Sequence, residues 1–226
     1  MGLDMYLNRM PRYKDVTATS IYAMDAFFDL EKEKAAKSQY ANCTLKEWCG
    51  ADDEALPDKE TVEYFRPFYV KRYAHWDTAH QYGHESIFEQ VGYWRKANQI
   101  HNWFVNNIQD GIDDCDYHRE VTKEDLQELL EICREIYASC TLVDGKVAVG
   151  TRYSQNGAET IWEEGKVVAD PSLAQELLPT REGFFFGGYS YNEYYVEDIA
   201  ETIKIVSEVL LTTNFDKQMI YYRSSW

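Results

Sequence analysis

Between residues 93 and 108, apolar side chains recur at Tyr93, Ala97, Ile100, Phe104 and Ile108. This three- and four-residue spacing predicts an amphipathic helix with one buried face. Such a helix needs a second layer to cover it, which rules out any extended or single-layer architecture. Arg95, Asn98 and Asn102 share another face of the same expected helix. Amides and a guanidinium donate and accept hydrogen bonds in fixed directions, so this face reads as a recognition surface; solubility alone would be served by mixed charges.

The flanking segments supply the second layer. Residues 2–10 alternate at Leu3, Met5 and Leu7, which predicts a strand, central in its sheet and stopped by Pro11. Residues 17–40 read as a helix, and residues 43–62 show no clear period. Residues 64–76 are dense in aromatics, with Arg66, Lys71 and Arg72 between them, and leave helix and strand both open. Thr122 followed by Asp125 resembles a capping box, opening a helix that buries Leu126, Leu129, Leu130, Cys133 and Ile136. Two short β-prone runs flank Asp144-Gly145, a two-residue hairpin signal, and residues 160–168 suggest a further strand pair around Gly165. Asp170-Pro171 opens a short helix ending at Leu178-Pro179, with Pro171 as its first residue. Residues 183–188 read as a buried strand whose glycines allow close backbone approach. A long helix over 192–211 carries Tyr195, Ile199, Ile203, Val206 and Leu210 on one side, and 219–222 form a closing strand with 223–226 as its tail. Together these predict an α+β fold in a single domain over 1–226. Its mixed or antiparallel sheet of about four to six strands is covered by helices near 93, 123 and 193, with helical and β-hairpin insertions at 12–62 and 141–168.

Lys and Arg total 23 against 39 Asp and Glu, a formal charge of -16. That balance argues against duplex nucleic acid or an anionic membrane as a partner. No apolar run approaches the roughly 18 residues of a membrane helix, and Tyr6 stands where a myristoylation signal wants Ser or Thr. Five cysteines without a framework, and no basic-then-apolar leader, lead us to expect a reduced, cytoplasmic protein.

His75, Asp77, His80, His84 and Glu85 invite a metal reading. Gly83 weakens the helix that would align them and the compact protease pattern is absent, so no metal site is assigned and His80 and His84 remain as candidates only. His101 reads as a hydrogen-bonded packing residue. A nucleophilic Cys115 near His118 is opposed by Asp113, Asp114 and Asp116, whose charges suppress the thiolate. Those three carboxylates read as a solvated acidic turn. Phosphate-loop, dinucleotide and nucleophile-elbow patterns are missing, so no catalytic residue and no cofactor are assigned. What persists is aromatic surface combined with Arg and amide groups: Tyr93, Trp94, Arg95, Asn98, Asn102, Arg181, Tyr189, Arg223 and Trp226. Aromatic faces stack on a nucleobase, amides read its edge, and guanidinium forks match phosphate oxygens.

The opening Met1-Gly2-Leu3-Asp4-Met5-Tyr6-Leu7 and the middle Val91-Gly92-Tyr93-Trp94-Arg95-Lys96-Ala97-Asn98-Gln99-Ile100-His101 with Asp113-Asp114-Cys115 are the first of several shared motifs. With Leu177-Leu178-Pro179-Thr180 before Gly183 and the ending Tyr221-Tyr222-Arg223-Ser224-Ser225-Trp226, they resemble a family of bacteriophage- and prophage-encoded proteins. The resemblance covers about half of the chain, departs over 12–62 and 141–168, and brings no catalytic residue. It implies an accessory factor acting against host defence in the bacterial cytoplasm, sequestering a small nucleotide-like immune signal. Two other expectations stand beside it: an acidic inhibitor of a host defence or nucleic-acid-binding enzyme, and a metal-dependent hydrolase using His80 and His84. An aromatic-rich surface also suits a homodimer interface.

Overall fold

The computed structural model describes residues 2–51, 55–73, 81, 83–115, 119–154, 157–183 and 186–226. Among these the fold is α+β, and its sheets are antiparallel. Strand β1 (Asp4–Pro11) lies centrally. It pairs on one side with β4 (Glu89–Arg95) and on the other with β8 (Gln218–Ser225), which in turn carries the short β5 (Arg119–Val121).

Alternation divides the sheet into two faces. Leu3, Met5, Leu7, Trp94, Val121, Ile220 and Tyr222 form one, buried with residues of α4 (Asn98–Asn107), α5 (Lys123–Ser139) and α7 (Glu193–Thr212) in the larger core. Fully burying one such side chain contributes about 1.5–3 kcal/mol. Tyr222 also stacks on Phe104 with ring centroids 4.0 Å apart. The opposite face carries Met10, Met219 and Tyr221 at one end, packed with Ile21, Met24 and Phe28 of α1 (Ala18–Ala36) and with Val62 and Phe65 of α3 (Lys59–Phe65). Toward its other end the same face is polar: Tyr6 and Asn8 of β1, Gln90 of β4, Arg223 and Ser225 of β8.

Helix ends follow their sequence signals. Thr122 and Asp125 form the expected capping box of α5, and Asn192 caps α7 by accepting from the Tyr194 and Tyr195 amides. Thr44 and Glu47 form a second box on the short α2 (Leu45–Cys49), in a segment where the sequence showed no period.

Several expectations are corrected. The helix expected over 93–108 begins only at Asn98, because residues 89–95 belong to β4. Lys96, at φ 62°, takes the left-handed conformation that separates strand from helix. Gly92 lets Ile205 of α7 close over the strand, since a Cβ there would lie 2.8 Å from the isoleucine methyl. Asp144-Gly145 is not a turn. It sits inside β6 (Leu142–Ser154), which pairs with β7 (Gly157–Val168) in one long antiparallel ribbon. Gly145 and Gly165 face each other across that ladder, where a Cβ would meet Val167 at 2.7 Å and Val147 at 2.7 Å respectively. Space for valines, not reversal of the chain, explains these glycines. Pro171 is the N-cap of α6 (Ser172–Leu177), one position before the helix. Residues 183 and 186–188 are not strand, and the C-terminal strand runs on through Arg223 and Ser224 to Ser225. Between α3 and β2 (Val70–Arg72) the chain makes a single 3-10 turn, and β2 pairs with β3 (His84–Ser86) as a small separate hairpin. Among the described residues no helix is long and apolar enough to cross a membrane.

Candidate functional site

The nine residues singled out from the sequence fall into four places. Five of them, Asn98, Asn102, Arg181, Tyr189 and Trp226, join one network centred on Asp113. Its carboxylate accepts from His101 Nε2 at 3.1 Å, from Trp226 Nε1 at 3.1 Å and from Arg181 Nη2 at 3.0 Å. His101 is fully buried and bonds Tyr222 through its other nitrogen at 2.7 Å. Asn98, also buried, donates to the carbonyls of Phe186 and Gly188 and accepts from the Arg181 amide. Asn102 donates to the Pro179 carbonyl and accepts from the Arg181 guanidinium. The Tyr189 hydroxyl closes the same loop on the Gly183 carbonyl at 3.0 Å. These amides tie the 179–189 segment to α4. Their hydrogen-bonding capacity is spent inside the protein, and the acidic turn contributes Asp113 as a structural anchor.

Trp94 is a core residue, 3 % exposed, with its indole N–H bonded to Thr202 at 2.9 Å. Arg95 stands at the exposed end of β4, on the other side of the strand–helix break from Asn98, so the expected Arg95–Asn98–Asn102 face does not exist. It borders a hollow of about 280 Å³ with Gln99, Tyr194 and Asp198. Burial pushes the Asp198 carboxyl up to about 6 against a hydrogen bond from Gln99.

Arg223 and Tyr93 are brought onto the sheet's polar half, where the register runs Tyr93, Tyr6, Arg223 across three strands. Here the sheet forms the floor of a cleft of about 370 Å³. Tyr22 and Asp25 of α1 make one wall, and Arg72, Tyr73 and His84 of the small hairpin make the other. Asn8 and Gln90, paired in register, place two amides on the floor. The Tyr22 ring lies against Phe88 at 4.3 Å. Arg72 is anchored by Nε donating to the Ser86 carbonyl at 3.4 Å. In a chain of charge -16, two guanidiniums from distant segments therefore converge on one aromatic-lined cleft.

Asp25 braces this cleft. Its Oδ1 accepts from the Ile87 amide at 2.6 Å and its Oδ2 from the Ser86 hydroxyl at 3.0 Å, joining α1 to the hairpin. Burial pushes its carboxyl up to about 6, in spite of those two hydrogen bonds. A raised folded-state value means the uncharged carboxyl is the one folding favours. Its contribution is therefore complete below about pH 4 and lost as pH rises through about 6. Asp25→Asn keeps the neutral form at every pH. We expect its melting temperature to gain on the unmodified chain by an amount equivalent to about 1–2 kcal/mol between pH 4 and pH 7, and a pH-independent difference would disprove the assignment.

Sequence reasoning found Arg223 but missed Arg72, Tyr6, Asn8, Gln90, Tyr22 and Asp25. One signal was available: both central strands carry polar residues at the alternate positions of one end, Asp4, Tyr6 and Asn8 on β1 and Arg223 and Ser225 on β8. His75, Asp77 and His80 lie outside the described residues, as do Asp116 and His118. His84 is on β3, and Glu85 beside it pairs with Lys32. Among the described residues, no group of three or more His, Cys, Asp or Glu is placed to hold a metal ion. No family model, curated protein or solved structure matches the chain.

Proposed function

We propose that this protein binds a small phosphorylated, nucleotide-like molecule in the cleft between the sheet and the β2–β3 hairpin. One observation carries this reading: Arg72 and Arg223, contributed by separate elements, line the same cleft as Asn8, Gln90 and three tyrosine rings. Guanidinium forks match phosphate oxygens, the amides read a base edge, and the rings offer stacking faces. The cleft volume of about 370 Å³ lies in the lower part of the range that small ligands fill. Asp25, with both carboxylate oxygens engaged by Ser86 and Ile87, serves as a brace and not as a base, which supports holding a ligand over converting it. The resemblance to phage-encoded proteins supports a setting in the bacterial cytoplasm, where such a binder sequesters a nucleotide signal of host defence.

The test is calorimetric titration of the purified protein with a panel of mononucleotides, cyclic dinucleotides and ADP-ribose-type molecules, followed by denaturation and mass spectrometry of what is released. Stoichiometric recovery of the intact molecule is the expected result. Recovery of an altered molecule would replace sequestration with catalysis, and lack of binding across the panel would overturn the proposal.

A further inference from the structure

A second hollow adjoins the cleft at α1. Tyr22, Asp25 and Arg223 line the cleft on one side and also line this hollow of about 480 Å³, whose far wall includes Asp29, Trp48 and Cys49. Arg223 and Tyr22, whose side chains hydrogen-bond each other, thus form the waist where the two chambers meet. Each chamber has its own aromatic wall, Tyr6 and Tyr73 in the first and Trp48 in the second. Trp48 is held in place by the capped α2 and by an edge contact with Tyr40, ring centroids 5.4 Å apart.

Charge is divided unequally along this groove. Both guanidiniums border the first chamber, whereas the second adds Asp29, whose Oδ1 accepts from the Tyr69 hydroxyl. A phosphate is therefore favoured at the waist and in the first chamber. The second suits an uncharged, donor-bearing group such as a base amine or a ribose hydroxyl, because carboxylates only accept.

Resting on the nucleotide reading of the first chamber, we propose that the groove takes a dinucleotide. One base occupies each chamber, the linking phosphate lies on Arg223, and Trp48 stacks the second base. Stacking on one aromatic ring is worth about a tenfold to hundredfold gain in affinity.

The experiment compares each common ribonucleoside monophosphate with the corresponding linear dinucleotide, in calorimetric titrations of the full chain and of Trp48→Ala and Ala51→Phe. Ala51 lines the second chamber and not the first, so a phenyl ring there obstructs the second chamber alone. We expect the favoured dinucleotide to bind at least tenfold tighter than its mononucleotide, and both variants to erase that gain while mononucleotide affinity stays unchanged. Equal affinity for the two ligands, or a gain that survives Ala51→Phe, would overturn the dinucleotide assignment and leave mononucleotide binding standing. Failure of every nucleotide to bind would remove the first-chamber reading and this one with it.

Discussion

Asp113→Ala is expected to lower the melting temperature at neutral pH by roughly 6–12 °C, corresponding to about 3 kcal/mol in a chain of this size. The carboxylate joins three donors from separate parts of the fold: His101 on α4, Arg181 in the segment before α7, and Trp226 after β8. Truncating it leaves a fully buried imidazole nitrogen and a partly buried guanidinium without their shared acceptor. Removing one partner of a buried ionic pair typically costs about 3–5 kcal/mol; the 29 % exposure of Arg181 moves the expectation to the lower end. Burial raises the Asp113 carboxyl, but the hydrogen bond from His101 and the nearby charges of His101 and Arg181 outweigh it and hold the group below its ordinary value. A depressed folded-state value gives stability that is complete above about pH 4 and disappears as pH falls through the folded value. The gap between the two melting curves should therefore shrink in acid. Identical melting temperatures at pH 7 would show that the network contributes nothing to stability.

This network is also where local sequence logic misled. Asn98 and Asn102 have the composition of a recognition face, yet they serve the backbone of residues 179–188. Nothing in the order of residues distinguishes an amide that meets a ligand from one that meets a distant carbonyl. Elements with a single dominant period were legible: β1 through Met5 and Leu7, α5 through its capping box and leucines, and α7 through Tyr195, Ile199 and Val206. The β4–α4 junction was not, because Tyr93 fits a helical spacing with Ala97 and Ile100 as well as an alternating one with Trp94. Tertiary pairing with β1 and the left-handed Lys96 decide between them. Asp144-Gly145 failed for a related reason, since small residues admit either a turn or close-packed valines. The cleft was nearly invisible, because its residues come from β1, α1, β2, β3, β4 and β8 and are adjacent only once the register is known.

The register also yields the sharpest functional expectation. Arg223→Ala should weaken binding of the favoured nucleotide about hundredfold while moving the melting temperature by less than about 2 °C. The side chain is exposed on β8, whereas its neighbours Tyr222 and Ser224 point into the opposite, buried face, so truncation leaves the larger core untouched and costs the fold only the hydrogen bond to the Tyr22 side chain. What it removes is the cation shared by both chambers of the groove. A charge-assisted bidentate contact to phosphate is worth about 1.5–3 kcal/mol in hydrogen bonding alone. Loss of the charge adds a smaller amount at this exposed position, which brings the total to about two orders of magnitude. Arg223→Lys separates the two contributions. Lysine keeps the charge but not the planar fork, so it should recover only part of the affinity. Complete recovery would reduce Arg223 to a point charge, and unchanged binding in the alanine variant would move the phosphate site away from the waist altogether.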